Sequence, residues 1–93
     1  MQKPQSQLQR IRRYERIMQN ANNILSMDEI SPELLTKLNK MIQKLEKFYE
    51  SVEWKLDFAA DESGLLPKTM KRGVLSEDGL YNLLENYHSL KLK

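Results

Sequence analysis

SPELLTKLNKMIQKLEKFYESV, residues Ser31–Val52, is the stretch whose reading decides the fold. Ser31-Pro32 is a helix start, because the serine hydroxyl can accept from a free amide of the first turn and proline at the first helical position has no hydrogen bond to lose. Behind it Leu34, Leu35, Leu38, Met41, Ile42, Leu45, Phe48, Tyr49 and Val52 repeat by sevens, as 34/41/48, 35/42/49 and 38/45/52. Three positions per heptad make a seam wide enough for more than one neighbour. The spacing predicts a helix over 32–50.

Upstream, Leu8, Ile11, Tyr14, Met18, Ala21 and Leu25 follow at steps of three and four, with Ile17 and Ile24 widening the stripe. This predicts a helix over 7–27 after a disordered 1–6, with a bend or early end near Asn20-Ala-Asn-Asn23, since short amides compete for backbone hydrogen bonds. A tight turn around Met27–Ser31 then folds the two helices into an antiparallel hairpin, with Arg10 near Tyr49. Downstream, Ser51 restarts the chain as a helix over 52–62, in which Trp54 and Phe58 lie one turn apart and need a buried surface. Gly64 and Pro67 open a loop over 63–76, and Ser76 caps a last helix over 77–90 that turns Leu80, Leu83, Leu84 and Tyr87 inward. No segment alternates in the manner of a strand. The expected fold is all-α, one domain over 1–93: a long antiparallel helical hairpin, then a short helix, a loop and a C-terminal helix packed on it.

Composition narrows the chemistry. The 93 residues include no cysteine and one histidine, which excludes disulfides, thiolate metal sites, cysteine nucleophiles and any site needing two imidazoles. No apolar run follows the first basic residue as in a signal peptide, and none reaches the length of a membrane span, so the expected location is cytoplasmic. Net charge is +2, yet residues 1–27 hold five basic groups and one acid whereas residues 28–62 hold five lysines and nine acids. Such blocks favour mutual pairing, with the arginines of the first helix against Glu46, Glu50, Glu53 and Asp57.

Tyr49-Glu-Ser51, Trp54, Asp57-Phe58, Asp61-Glu62, Gly64, Leu66-Pro67, Lys71-Arg-Gly-Val-Leu-Ser-Glu-Asp78 and Tyr81-Asn-Leu-Leu84 together resemble a family of small bacterial proteins, domain of unknown function 4298. The resemblance is strongest over 49–87. It implies bacterial origin and brings no activity that can be carried over residue by residue.

Several constellations bear on function. Glu50, Glu53, Asp57 and Asp61 fall along one helical line and could hold a hard cation, but as a solvated face relieved by neighbouring cations they need no ligand, and no inward-curving loop supplies further oxygens. Lys68, Lys71, Arg72 and Gly73 precede a helix N-terminus suited to phosphate, although Glu77 and Asp78 already neutralise that end. His88 could act as a base with Asp57 or Asp61, yet reads more simply as an exposed residue near the end of the last helix. No serine lies in a strand-turn-helix elbow.

The sequence therefore points to no catalytic, cofactor-binding or metal residue and to no small-molecule substrate. It reads as a non-enzymatic protein that binds its own copy or another protein, with Leu38, Met41, Leu45, Phe48 and Trp54 as candidate partner-binding residues: the seam exceeds what one helix covers, so its excess faces either the C-terminal helices or a second chain, and Trp54 reads most simply as a core aromatic, otherwise as an interface anchor. The alternative is a nucleic-acid-binding accessory protein contacting the phosphate backbone through Arg10, Arg12, Arg13 and Arg16. A membrane surface is disfavoured, because the basic helix carries neither Trp nor Phe on its apolar side.

Overall fold

In a computed structural model, which describes residues 4–91, the chain is all-helical: α1 (Pro4–Leu25), α2 (Pro32–Tyr49), α3 (Val52–Glu62), a 3-10 turn (Gly73–Leu75) and α4 (Glu77–Lys91). The helix of the first block begins earlier than its periodicity suggests. Residues 4–6, expected to be disordered, are its first turn; Pro4 suits that position, and Gln7 and Leu8 just behind it are anchored on Asp57 and the core respectively. The expected disorder of residues 1–3 lies outside the described residues. The asparagine cluster does not break α1 either: Ala21 is fully buried while Asn20, Asn22 and Asn23 face solvent, so core packing on one side outweighs poor propensity on the other.

Ser31 caps α2 by accepting from the Leu34 amide at 3.2 Å, and Pro32 occupies the first helical position. α2 stops at Tyr49 because Ser51 leaves the helical region, at φ −85° and ψ 160°. Its hydroxyl donates back to the Phe48 carbonyl and accepts from the Trp54 amide at 3.1 Å, closing one helix and capping the next. α3 ends in a Schellman motif. The Leu65 amide donates to the Ala60 carbonyl and the Gly64 amide to Asp61, both at 3.0 Å, with Gly64 at φ +72°, a conformation that costs glycine least.

The core draws on every element. Ile11 and Ala21 of α1, Leu38, Ile42 and Leu45 of α2, Val74 and Leu75 of the turn, and Leu80 and Leu83 of α4 are at most 1% exposed. Tyr14 stacks on Phe48 with ring centroids 4.0 Å apart, joining α1 to α2, while Tyr87 of α4 donates to the Asn39 side chain of α2. The broad seam of α2 is thus covered by α1, α3 and α4 together.

That outcome corrects the candidate partner-binding residues. Leu38 and Leu45 are fully buried, Phe48 and Trp54 nearly so, and Met41 packs half-buried against the same cluster. Of the two covers that the width of the seam allows, the later helices of the same chain or a second copy, the structure shows the first: α3 and α4 share it with α1.

Candidate functional site

Asp57 is fully buried on α3, the one buried charged residue among those described. Arg10 of α1 clasps it as a fork, Nε donating to Oδ2 at 2.9 Å and the terminal nitrogen to Oδ1, and Gln7 Nε2 donates to Oδ1 at 2.9 Å. The hydrogen bonds to Asp57 hold the Arg10 guanidinium above its ordinary pKa, against the opposing effect of burial. Asp61, one turn on, accepts from Arg72 at 2.6 Å. Two of the four carboxylates on this line are therefore committed to arginine, and Glu50 and Glu53 remain exposed.

The segment 63–76 is pinned by the same kind of contact. Glu15 of α1 accepts the Val74 amide at 2.8 Å through one oxygen and Gln19 Nε2 at 3.0 Å through the other. A Cβ on Gly73 would come within 3.4 Å of both Glu15 oxygens, so the absent side chain lets the carboxylate reach the turn. Trp54 Nε1 donates to the Val74 carbonyl at 3.0 Å, its ring packed edge-on to Tyr49 and stacked on Phe58. Ser76 accepts from the Gly79 amide at 3.2 Å, which caps α4. The motif residues of the 49–87 stretch thus bind one element to another. Among the described residues no buried side-chain nitrogen or oxygen lacks a partner, and no three of His, Cys, Asp and Glu converge as a metal site would require. His88 is exposed, its ring edge-on to Tyr87.

The arginine cluster divides. Arg10 is spent on Asp57, whereas Arg12, Arg13 and Arg16 are exposed and form no ion pair among the described residues. Arg12 and Arg16 do not line up against the acidic side of α2 and α3, because 100° per residue sends them to a different face from position 10. Arg12 and Arg16 instead face Thr69 and Lys71 across a cleft of about 350 Å³, floored by Glu15, Gln19 and Met70.

A second surface was not legible in the residue pattern. Val52, Leu56, Ala59 and Ser63 follow at steps of four, three and four along the outer side of α3, opposite Trp54 and Asp57. Val52 is 68% exposed, Leu56 53%, and Leu65, set beside the stripe by the Schellman turn, 78%. Leu56, Ala59, Ala60 and Leu65 line one shallow depression with Gln7 and Ser63. Val52 counts with Leu38 and Leu45 in an unbroken heptad, but the extended backbone of Ser51 resets the phase and turns it outward. The signal was the cap at Ser51: phased from there, Val52 and Leu56 fall opposite Trp54.

Among the described residues no helix is long and apolar enough to cross a membrane. No curated protein and no solved structure matches the chain. The family model described as Domain of unknown function (DUF4298) matches residues 11–93, and the chain belongs to that family.

Proposed function

We propose that the protein is a non-enzymatic protein-interaction module whose docking face is the outer side of α3, on a scaffold in which α1 and α2 are the arms of an antiparallel hairpin. The observation that carries this reading is that Val52, Leu56 and Leu65, three of the most exposed large apolar side chains, lie on or beside one stripe of α3, whereas Met27, Leu35 and Tyr81 are exposed away from it. Single exposed leucines need no explanation; Leu56 and Leu65 lining one depression with Ala59 and Ala60, and Val52 on the same helix face, mark a contact surface. Asp57 and Asp61 are held by arginine and Glu15 by a backbone amide, so these three carboxylates serve as ties between elements, in keeping with a binding role. The test uses the folded chain as bait in wild-type and Leu56→Glu/Leu65→Glu forms. A protein retained by the first and lost from the second supports the reading, and equal retention removes α3 as the docking face.

A second reading is favoured by the cleft between α1 and residues 69–71. Arg12, Arg16 and Lys71 gather there without an ion pair among the described residues, an arrangement an anionic backbone would relieve. It replaces the four-arginine surface by two arginines and a lysine, because Arg10 is occupied.

A further inference from the structure

We infer that the outer face of α3 pairs with the same face of a second copy of this chain, the two helices running antiparallel about a two-fold axis. The inference rests on the α3 docking reading and names its occupant. Lys55 and Glu62 are both exposed and lie seven residues apart, two helical turns, on one flank of the Val52–Leu56–Ala59–Ser63 stripe. An antiparallel two-fold keeps that flank on the same side of both helices and reverses its order. Lys55 of each copy then meets Glu62 of the other, so one operation makes two opposite-charge pairs from a single chain's sequence.

The apolar positions obey the same symmetry. An axis placed by the charge pairs passes between Phe58 and Ala59, which sets Val52 of one copy towards Leu65 of the other. Leu56 and Ala59 then lie near the centre, and the depression they line with Leu65 receives the matching side chains of the second copy. The small Ala59 side chain near the axis lets the helices approach closely. A parallel two-fold would send that flank to opposite sides of the contact in the two copies, so neither Lys55 nor Glu62 would meet its counterpart and no charge pair would form.

Size sets the strength. α3 has 11 residues and so is about 16 Å long, and a contact of that length covers well under the roughly 800 Å² per partner of a standard stable interface. The pair therefore forms at high concentration and exchanges readily.

Sedimentation equilibrium of the untagged chain from about 10 µM to 1 mM tests this, with circular dichroism as the check on folding. The wild-type mass is expected to rise towards the dimer, with Leu56→Glu weakening association by about tenfold or more. Lys55→Glu and Glu62→Lys should each weaken it by a few fold, roughly the scale of exposed ion pairs. Mixing those two variants restores association, because each like-charged chain is complementary to the other. A dimer indifferent to Leu56→Glu and to the charge reversals overturns the inference by lying elsewhere. A wild type that stays monomeric also overturns it; a different protein then captured through Leu56 and Leu65 leaves the docking reading standing, and no such capture ends both.

Discussion

The indole nitrogen of Trp54 donates to the carbonyl oxygen of Val74 at 3.0 Å, and the Val74 amide in turn donates to Glu15 at 2.8 Å. One residue of the 3-10 turn is thereby held on both its polar sides, by α3 and by α1, while its own side chain is fully buried. Trp54→Phe keeps the ring but orphans that carbonyl, at a cost of about 1–3 kcal/mol. Thermal unfolding followed by circular dichroism should show a fall of several degrees for each kcal/mol lost, as expected for a domain of this size.

Asp57→Ala should destabilise far more, by about 3–5 kcal/mol, because Arg10 would keep its charge in a largely buried place without a partner. Replacing both members, Arg10→Met with Asp57→Leu, is expected to recover most of the loss in urea unfolding. A double variant as unstable as the single one would mean that Asp57 holds α3 by something other than this pair.

Alkaline pH separates the same pair from the rest of the molecule. The folded state raises the pKa of Arg10, so the stability it contributes is fully present below the ordinary arginine value and is lost only as pH rises through the still higher folded value. Between pH 7 and pH 10, to take an accessible range of about three units, the stability difference between the wild type and the Arg10→Met/Asp57→Leu variant should therefore stay constant in paired thermal melts.

Gly64→Ala is expected to cost about 1 kcal/mol through the backbone alone, since a Cβ there meets nothing within 4 Å and φ is +72°. The loss should appear in urea unfolding at unchanged m value.

Leu45→Glu and Leu56→Glu distinguish core from surface by the same chemical change. Leu45 is fully buried, and placing a carboxylate there should abolish the folded state. Leu56 is 53% exposed, and its variant should keep the wild-type helical spectrum. Arg12→Glu/Arg16→Glu/Lys71→Glu should likewise fold normally, since none of these side chains forms an ion pair among the described residues. Its retention on immobilised single-stranded DNA, compared with the wild type at stepped salt, measures whether the cleft accepts a phosphate backbone. Absence of wild-type retention even at low salt ends that reading.

The helical character of the chain was legible because periodicity and caps agree: Leu38, Ile42 and Leu45 share one face, and Ser31, Ser51 and Ser76 stand where their hydroxyls satisfy free amides. What escaped was phase and company. A heptad read through Ser51 assigns Val52 to the core, although the extended backbone of that one residue suffices to turn it to solvent. Arg10 and Arg12 look equivalent in a charge count, and only their angular separation on α1 sends one to Asp57 and the other to the open cleft. Whether Leu38, Leu45, Phe48 and Trp54 face the chain's own later helices or a second copy depends on where residues 63–91 return, which no local pattern contains.

The ties of this fold join places far apart in the chain: Glu15 to Val74 across 59 residues, Gln7 to Asp57 across 50, and Asn39 to Tyr87 across 48. Helices form in about a microsecond or less from neighbouring residues, but these clasps close only after most of the chain has been brought into place. Helical turns therefore come and go quickly but become lasting only as the core and these clasps close, and the slow event in refolding will be the arrival of the 63–76 segment on α1 and α3. During synthesis on the ribosome, Glu15 and Arg10 wait for the last third and the middle of the chain, so the early helices emerge with their polar partners still to come.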